Sequence, residues 1–152
     1  MIPISDALVG QITEVVYPNR TYKINFSEEF IVPYGLLSIR MNSEIQPTDR
    51  ISGFVDNMDA VMQAIYLILS TERYQFVIYS WDYGVELLDL YGKPMSYVMA
   101  ELPRRVTEAL VQDNRITDVK DFTFEKIGKV LKMRFTVITT VGNVSTELEV
   151  AV

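Results

Sequence analysis

Hydrophobic and polar positions follow a helical period most clearly over residues 57–70. Met58, Val61, Met62, Ile65, Tyr66 and Leu69 form one stripe, and Ala60, Ala64, Leu67 and Ile68 make the opposite face apolar too. The pattern predicts a helix covered on more than one side. Asp56 or Asn57 can cap it, and Asp59 suits the positive end of its dipole. Ser70 and Thr71 weaken the helix, so the chain turns near Glu72 and Arg73. In the run that follows, Phe76, Ile78 and Ser80 alternate with Val77, Tyr79 and Trp81. That spacing predicts a mostly buried, two-sided strand over Tyr74 to Tyr79.

Upstream, Tyr22, Ile24 and Phe26 alternate with Lys23 and Asn25 as a half-buried strand does. Residues 1–20 are broken by Pro3, Gly10 and Tyr17-Pro18-Asn19 and read as an arm, with a short strand at Gln11 to Val16. Apolar runs at Phe30 to Val32 and Leu36 to Met41 flank Pro33-Tyr34-Gly35. Residues 42–53 are polar, with Pro47 and Gly53 as breakers. Downstream, Leu88 to Ser96 is a loop, and Ser96 caps a second helix with the stripe Met99, Leu102, Val106, Ala109 and Leu110. Arg104, Arg105, Glu108 and Gln112 then face water. Pro103 must kink or restart this helix, because it lacks an amide donor and clashes with the carbonyl four residues back.

Ile116 to Phe124 reads as a strand and Glu125 to Lys129 as a turn. Val130 to Val141 and Val144 to Val152 are the clearest strands, joined by Gly142-Asn143 as a two-residue hairpin loop. That loop sets Val141 opposite Val144, Val137 opposite Leu148, Phe135 opposite Val150 and Thr139 opposite Thr146. It leaves one apolar face and one polar face, with Arg134 diagonal to Glu149. The fold class expected is α+β: two main helices packed on an antiparallel sheet, a C-terminal β-hairpin, and a β-rich N-terminal elaboration. A chain of 152 residues can bury one core. Residues 1–55 are therefore read as an elaboration that is not independent, and 56–152 as the core domain.

Composition narrows the chemistry. There is no cysteine and no histidine, which removes thiolate nucleophiles, Ser-His-Asp triads and imidazole metal ligands. Catalysis would rest on carboxylates, lysine, tyrosine or backbone groups, as it does in glycosidases. A net charge of −6 argues against a nucleic-acid partner. Residues 1–60, with eight acids against four bases, hold most of that charge. No apolar run reaches the ~18 residues a bilayer span needs. The start MIPISDALVG also lacks the layout of a signal peptide, so a soluble chain with no membrane partner and no export address is expected. A hydrophobic fraction of 49% exceeds the need of a small monomer and points to surface buried against other chains.

Glu72, Asp82, Glu86 and Asp89 are the candidate carboxylates. A glycosidase needs two carboxyls ~5 to 9.5 Å apart. Sequence proximity does not set that distance, and solvated or ion-paired acids are the competing reading. Glu72-Arg73 at a helix end can cap, bridge and bind loop backbone, which is the favoured role. Gly84 reads as a backbone requirement rather than a phosphate loop. The aromatics Tyr74, Phe76, Tyr79, Trp81 and Tyr83 fit a core strand, a stacking platform for sugars or bases, or an interface anchor.

The order helix, Leu69-Ser70-Thr71-Glu72-Arg73, then Asp82-Tyr83-Gly84-Val85-Glu86-Leu87, resembles the signature of the lysozyme-like small baseplate wedge, or sheath-initiator, family of contractile phage tails. The longer pattern is TERYQFVIYSWDYGVEL, then Glu101-Leu102-Pro103-Arg104-Arg105 and Asp113-Asn114-Arg115-Ile116. It is similar to the branch in prophages and tail-like bacteriocins of Gram-positive bacteria. The resemblance covers about Asp56 to Val152, and departs from a Glu-Pro-Arg form of the motif because Tyr74 follows Glu72-Arg73 directly. It implies a structural protein, without catalytic residues, metal or cofactor, that attaches to baseplate wedge proteins and initiates the tail sheath. Tail tube or hub proteins are further neighbours, and copies stand in a symmetric, six-fold assembly built in the host cytoplasm.

Glu72, Arg73, Trp81, Tyr83 and Gly84 are then the structural and partner-binding residues. The strand Val144 to Val152 is expected to be a free sheet edge to which sheath arms add, through Val144, Thr146, Glu147, Leu148, Glu149 and Val150. Val130 to Val141 is the other candidate edge. The readings outside the resemblance are a carboxylate glycosidase and a generic protein-binding module.

Overall fold

The computed structural model describes residues 19–24, 30–31, 37–40 and 51–151. The expected arm, the strand at Gln11 to Val16, Phe26 and the break at Pro33-Tyr34-Gly35 lie outside them. The element order is β1 (Arg20–Ile24), β2 (Phe30–Ile31), β3 (Leu37–Arg40), β4 (Ile51–Asp56), α1 (Asn57–Ser70), α2 (Met95–Leu110), β5 (Ile116–Ile127), β6 (Val130–Thr139) and β7 (Gly142–Ala151). A single 3₁₀ turn, Leu88–Leu90, precedes α2. The architecture is α+β. A five-stranded antiparallel sheet runs β2-β3-β7-β6-β5, and β1 and β4 form a separate two-stranded ribbon.

Helix α1 is buried on both faces, as its sequence requires: Val61, Ile65, Leu69 and also Ala60, Tyr66 and Ile68 are shielded from solvent. Its start differs from the expected cap. Asp56 occupies the N-cap position without a side-chain capping bond, and its carboxylate instead lies 3.4 Å from Arg20. The amide of Asn57 donates to the Asn19 carbonyl at 2.8 Å, so the ribbon's own backbone supplies the partner. Gln63 ties ribbon to helix a second time. Its side-chain amide accepts from Ile24 N–H at 2.9 Å and donates to the Tyr22 carbonyl at 2.8 Å, imitating a paired strand. Tyr22 is exposed and stacks on Phe54 across the ribbon, so β1 lacks the half-buried alternation expected of it.

Helix α2 starts at Met95 rather than after Ser96, which moves its buried stripe to Val98, Leu102, Val106, Ala109 and Leu110. Met99, placed in that stripe from sequence, is exposed. The helix continues through Pro103 without restarting. Arg105 was expected to face water, but its side chain is 11% exposed and folds back on the 86–89 segment.

The hairpin joins at Thr140-Val141, not at Gly142-Asn143. Thr139 pairs with Gly142, Val137 with Val144, Phe135 with Thr146 and Arg134 with Glu147. The Thr139 hydroxyl, donating to the Gly142 carbonyl at 2.6 Å, closes the turn. The expected register was therefore four residues out. Because the shift is even, every side chain keeps its face. Leu131, Met133, Phe135, Val137, Val144, Leu148 and Val150 enter the core, while Lys132 bridges Glu147 and Glu149 at 2.8 and 2.9 Å on the other face.

The expected free edge is corrected as well. Strand β7 is interior to the sheet: β3 pairs along it, from Leu37 opposite Val150 to Arg40 opposite Glu147. Strand β6 lies between β7 and β5, so it is no edge either. The long edge strand among the described residues is β5. It runs on to Ile127, so most of the segment expected to turn, Glu125 to Lys129, is strand. Its pairing with β6 slips by one residue between Ile116 and Asp118 and again between Lys120 and Thr123. These two bulges explain why its inward residues, Ile116, Val119, Phe122 and Phe124, do not alternate strictly.

Candidate functional site

At the end of α1 the hydroxyls of Ser70 and Thr71 donate to the Leu67 carbonyl at 3.1 and 2.7 Å, and the helix stops. The chain then leaves in a loop, residues 74–83, and returns beside its own start. Val85 N–H donates to the Thr71 carbonyl at 2.9 Å and Arg73 N–H to the Val85 carbonyl at 3.1 Å. Only a residue without Cβ fits the return point. Gly84 has φ +96°, and a Cβ there would stand 2.6 Å from the Thr71 carbonyl oxygen.

Glu72 and Arg73 bind loop backbone, the role expected of them, and do so without bonding to each other. Each clamps the returning strand separately. The Glu72 carboxylate accepts from Leu87 N–H at 3.1 and 3.0 Å and from Leu88 N–H at 3.2 Å. Burial pushes its pKa above the usual carboxylate range, against the lowering effect of those amides. Arg73, with a side chain 7% exposed, donates through Nε to the Gly84 carbonyl at 3.1 Å and through Nη1 to Glu108 at 2.8 Å. Glu86 lies 3.6 Å from the same nitrogen.

An ion network continues from there across α2. Arg104 bridges Glu101 and Glu108, and Arg105 donates to the Glu86 carbonyl at 2.8 Å and binds Asp89 with both terminal nitrogens. The hydrogen bond from Arg105 holds the Asp89 carboxyl below its ordinary pKa. Four of the five acids at this end are thus bound by arginine and Glu72 by backbone amides. Among the described residues no cluster of three or more acids could hold a metal ion, and no helix is long and apolar enough to cross a membrane.

Tyr74 to Tyr79 is not the buried strand its sequence predicts. Residues 74–83 form successive turns, with Tyr79 N–H donating to Phe76 and Tyr83 N–H to Ser80. Ile78 is 85% and Trp81 79% exposed, and Val77 stands fully in solvent. High β propensity reports fit to a pleated, half-buried surface. No sheet neighbour is offered here: the return is a single bridge between Glu72 and Val85. The rings order one another instead. Tyr79 stacks on Tyr83 with centroids 4.7 Å apart, Phe76 meets Tyr79 edge-on at 6.2 Å, and Trp81 lies 5.9 Å from Tyr74.

The structure therefore gathers Glu72, Arg73, Trp81, Tyr83 and Gly84 at one end. Val144, Thr146, Leu148 and Val150 point into the core, while Glu147 and Glu149 are held by Lys132 and Arg134. The reading from sequence named Asp89 and Arg105 but missed the bond between them, and it missed the buried pair Asp113–Arg115, in which Asp113 accepts from Arg115 Nε at 2.9 Å and Nη2 at 2.5 Å. That pair fixes the turn from α2 into β5. The signal was the quoted run Asp113-Asn114-Arg115, whose i, i+2 spacing lets the arginine fold back.

The sequence profile of contractile injection system sheath initiators matches residues 20–142, beginning well before Asp56 and so including the ribbon. The chain is also 33% identical over 138 residues to phage-like element PBSX protein XkdS of Bacillus subtilis (strain 168), covering 89% of this chain and 84% of that protein. Both matches run through the clamp, the loop and β5, and the chain belongs to the contractile injection system sheath initiators.

Proposed function

We propose that this chain seats the first sheath subunits of a contractile tail on the baseplate, and that it offers them the outer edge of β5. The observation that carries the reading is the position of β5. It ends the five-stranded sheet, and after its second bulge it stays in unbroken register with β6 from Thr123 to Ile127. Among the described residues nothing pairs with its outer row of N–H and C=O groups, to which an added strand binds by main-chain hydrogen bonds with little demand on sequence. The bulges and the exposed charges of Lys120, Asp121, Glu125 and Lys126 guard the same edge against pairing with the wrong chain.

The opposite requirement, attachment to wedge proteins, falls to the aromatic loop above the Glu72–Arg73 clamp. A ten-residue loop with one charge and ordered rings presents apolar anchors that lose little freedom on binding. Several copies around a six-fold tail, put together in the host cytoplasm, complete the reading.

Proline at Glu125 or at Lys126 tests it. Both side chains are exposed near the strand end, and adjacent residues point their amides to opposite sides. One substitution removes an outward donor, the other a bond to β6. The expected result is that at least one variant keeps its circular dichroism spectrum and fails to support sheath polymerisation on baseplates. Full-length sheath at normal yield with both variants would remove β5 as the template.

Purified protein is expected to release no reducing ends from peptidoglycan. Steady release that is lost in a folded Glu72→Gln variant would overturn that expectation.

A further inference from the structure

A groove of about 780 Å³ opens beside the aromatic loop, between the C-terminal halves of α1 and α2. Its floor is apolar, formed by Ala64, Leu67 and Ile68 with Ala109 and Val111, and its volume admits several side chains rather than one. Three electrostatic observations converge on it. Neither α1 nor α2 has a basic residue in its last turn, so the negative ends of both helix dipoles stand uncompensated by their own sequences. Asp82, on the rim, is exposed and has no hydrogen bond or ion pair among the described residues. The cation on the same rim, Arg115, is committed to buried Asp113 through two contacts.

We infer that this groove receives a short amphipathic segment of a neighbouring tail protein, carrying a lysine or arginine beside apolar residues three or four positions apart. The apolar residues fill the floor, as in other helix-in-groove complexes, and the cation meets Asp82 and the two helix ends. A purely apolar occupant would leave the Asp82 carboxylate covered and unpaired, and an acidic one would meet like charge. The inference rests on the chain working inside an assembled tail.

The test places a photo-crosslinking p-benzoyl-phenylalanine at Gln112, exposed on the rim, and separately at Leu67, in full-length protein within assembled tails. Crosslinked peptides are then sequenced by mass spectrometry. Both positions are expected to capture the same basic, amphipathic segment of another tail protein, and Asp82→Lys is expected to lower the yield at least fivefold. Capture of an acidic or uncharged segment, or of this chain's own residues 1–18 or 41–50, would overturn the inference. So would the absence of any crosslink in tails that carry complete sheath. Electron microscopy of the same samples separates the two ideas: complete sheath without a groove crosslink removes the groove alone, whereas sheath formed regardless of β5 removes the proposed template alone.

Discussion

Gly84→Ala is expected to lower the melting temperature by roughly 6 to 12 °C. The glycine has φ +96°, and an added Cβ would meet the Thr71 carbonyl oxygen at 2.6 Å and Arg73 N at 3.2 Å, both backbone atoms that cannot swing aside. A side chain held in that region costs about 1 to 3 kcal/mol before any clash is counted. At the upper end, about 3 kcal/mol converts to the stated interval for a domain of this size. The clash also pushes apart the two backbone bonds that close the loop base, Val85 to Thr71 and Arg73 to Val85. Thermal unfolding checks the first effect. Amide exchange at Val85, expected to accelerate far more than exchange in β6, checks the second.

Arg73→Ala and Glu72→Ala form the other large prediction. Removing Arg73 strips the Gly84 carbonyl of its buried donor, takes the cation from Glu86 and leaves Glu108 to Arg104 alone. Hydrogen bonds to charged groups are worth ~1.5 to 3 kcal/mol each, so a loss of about 3 kcal/mol is expected. Glu72→Ala leaves the Leu87 and Leu88 amides without their acceptor, and about 2 kcal/mol is expected. Glu72→Gln should be much milder, because the amide oxygen still accepts and burial already disfavours the charge. The two residues bind different groups, so the double change should come near the sum of the singles. Strong coupling in a double-mutant cycle would show that they act as one pair after all. Chemical denaturation of the four proteins measures both outcomes.

Both predictions depend on features that the sequence carried unevenly. The extent and burial of helix α1 were legible, though not its capping, because an all-round apolar pattern over 14 residues has one physical solution. The two faces of the C-terminal hairpin were legible too, since alternation fixes faces, but its turn was not. Gly142 resembles a hairpin loop residue, yet it opens β7 at φ +145°, where a Cβ would meet the Met58 side chain. Turn chemistry alone could not distinguish two registers that differ by an even number.

The aromatic loop failed for the opposite reason. Its composition matches a strand, and only the absence of a sheet neighbour, a tertiary fact, makes it a surface loop. Edge identity is tertiary as well: β3 reaches β7 from more than a hundred residues away in sequence, and nothing in Val144 to Val152 announces it. At the clamp, sequence marked Glu72 and Arg73 as binders of loop backbone and Gly84 as a backbone requirement, but left their partners unnamed. The backbone groups they bind belong to residues whose return path no local pattern encodes.

A cryo-electron microscopy map of the assembled tail tests the central claim most directly. The account predicts this chain at the junction of baseplate and first sheath ring, with a sheath strand hydrogen-bonded along Thr123–Ile127 of β5 and the loop at Trp81 buried against a wedge protein. A map in which the sheath meets another surface while the outer edge of β5 faces solvent would contradict it.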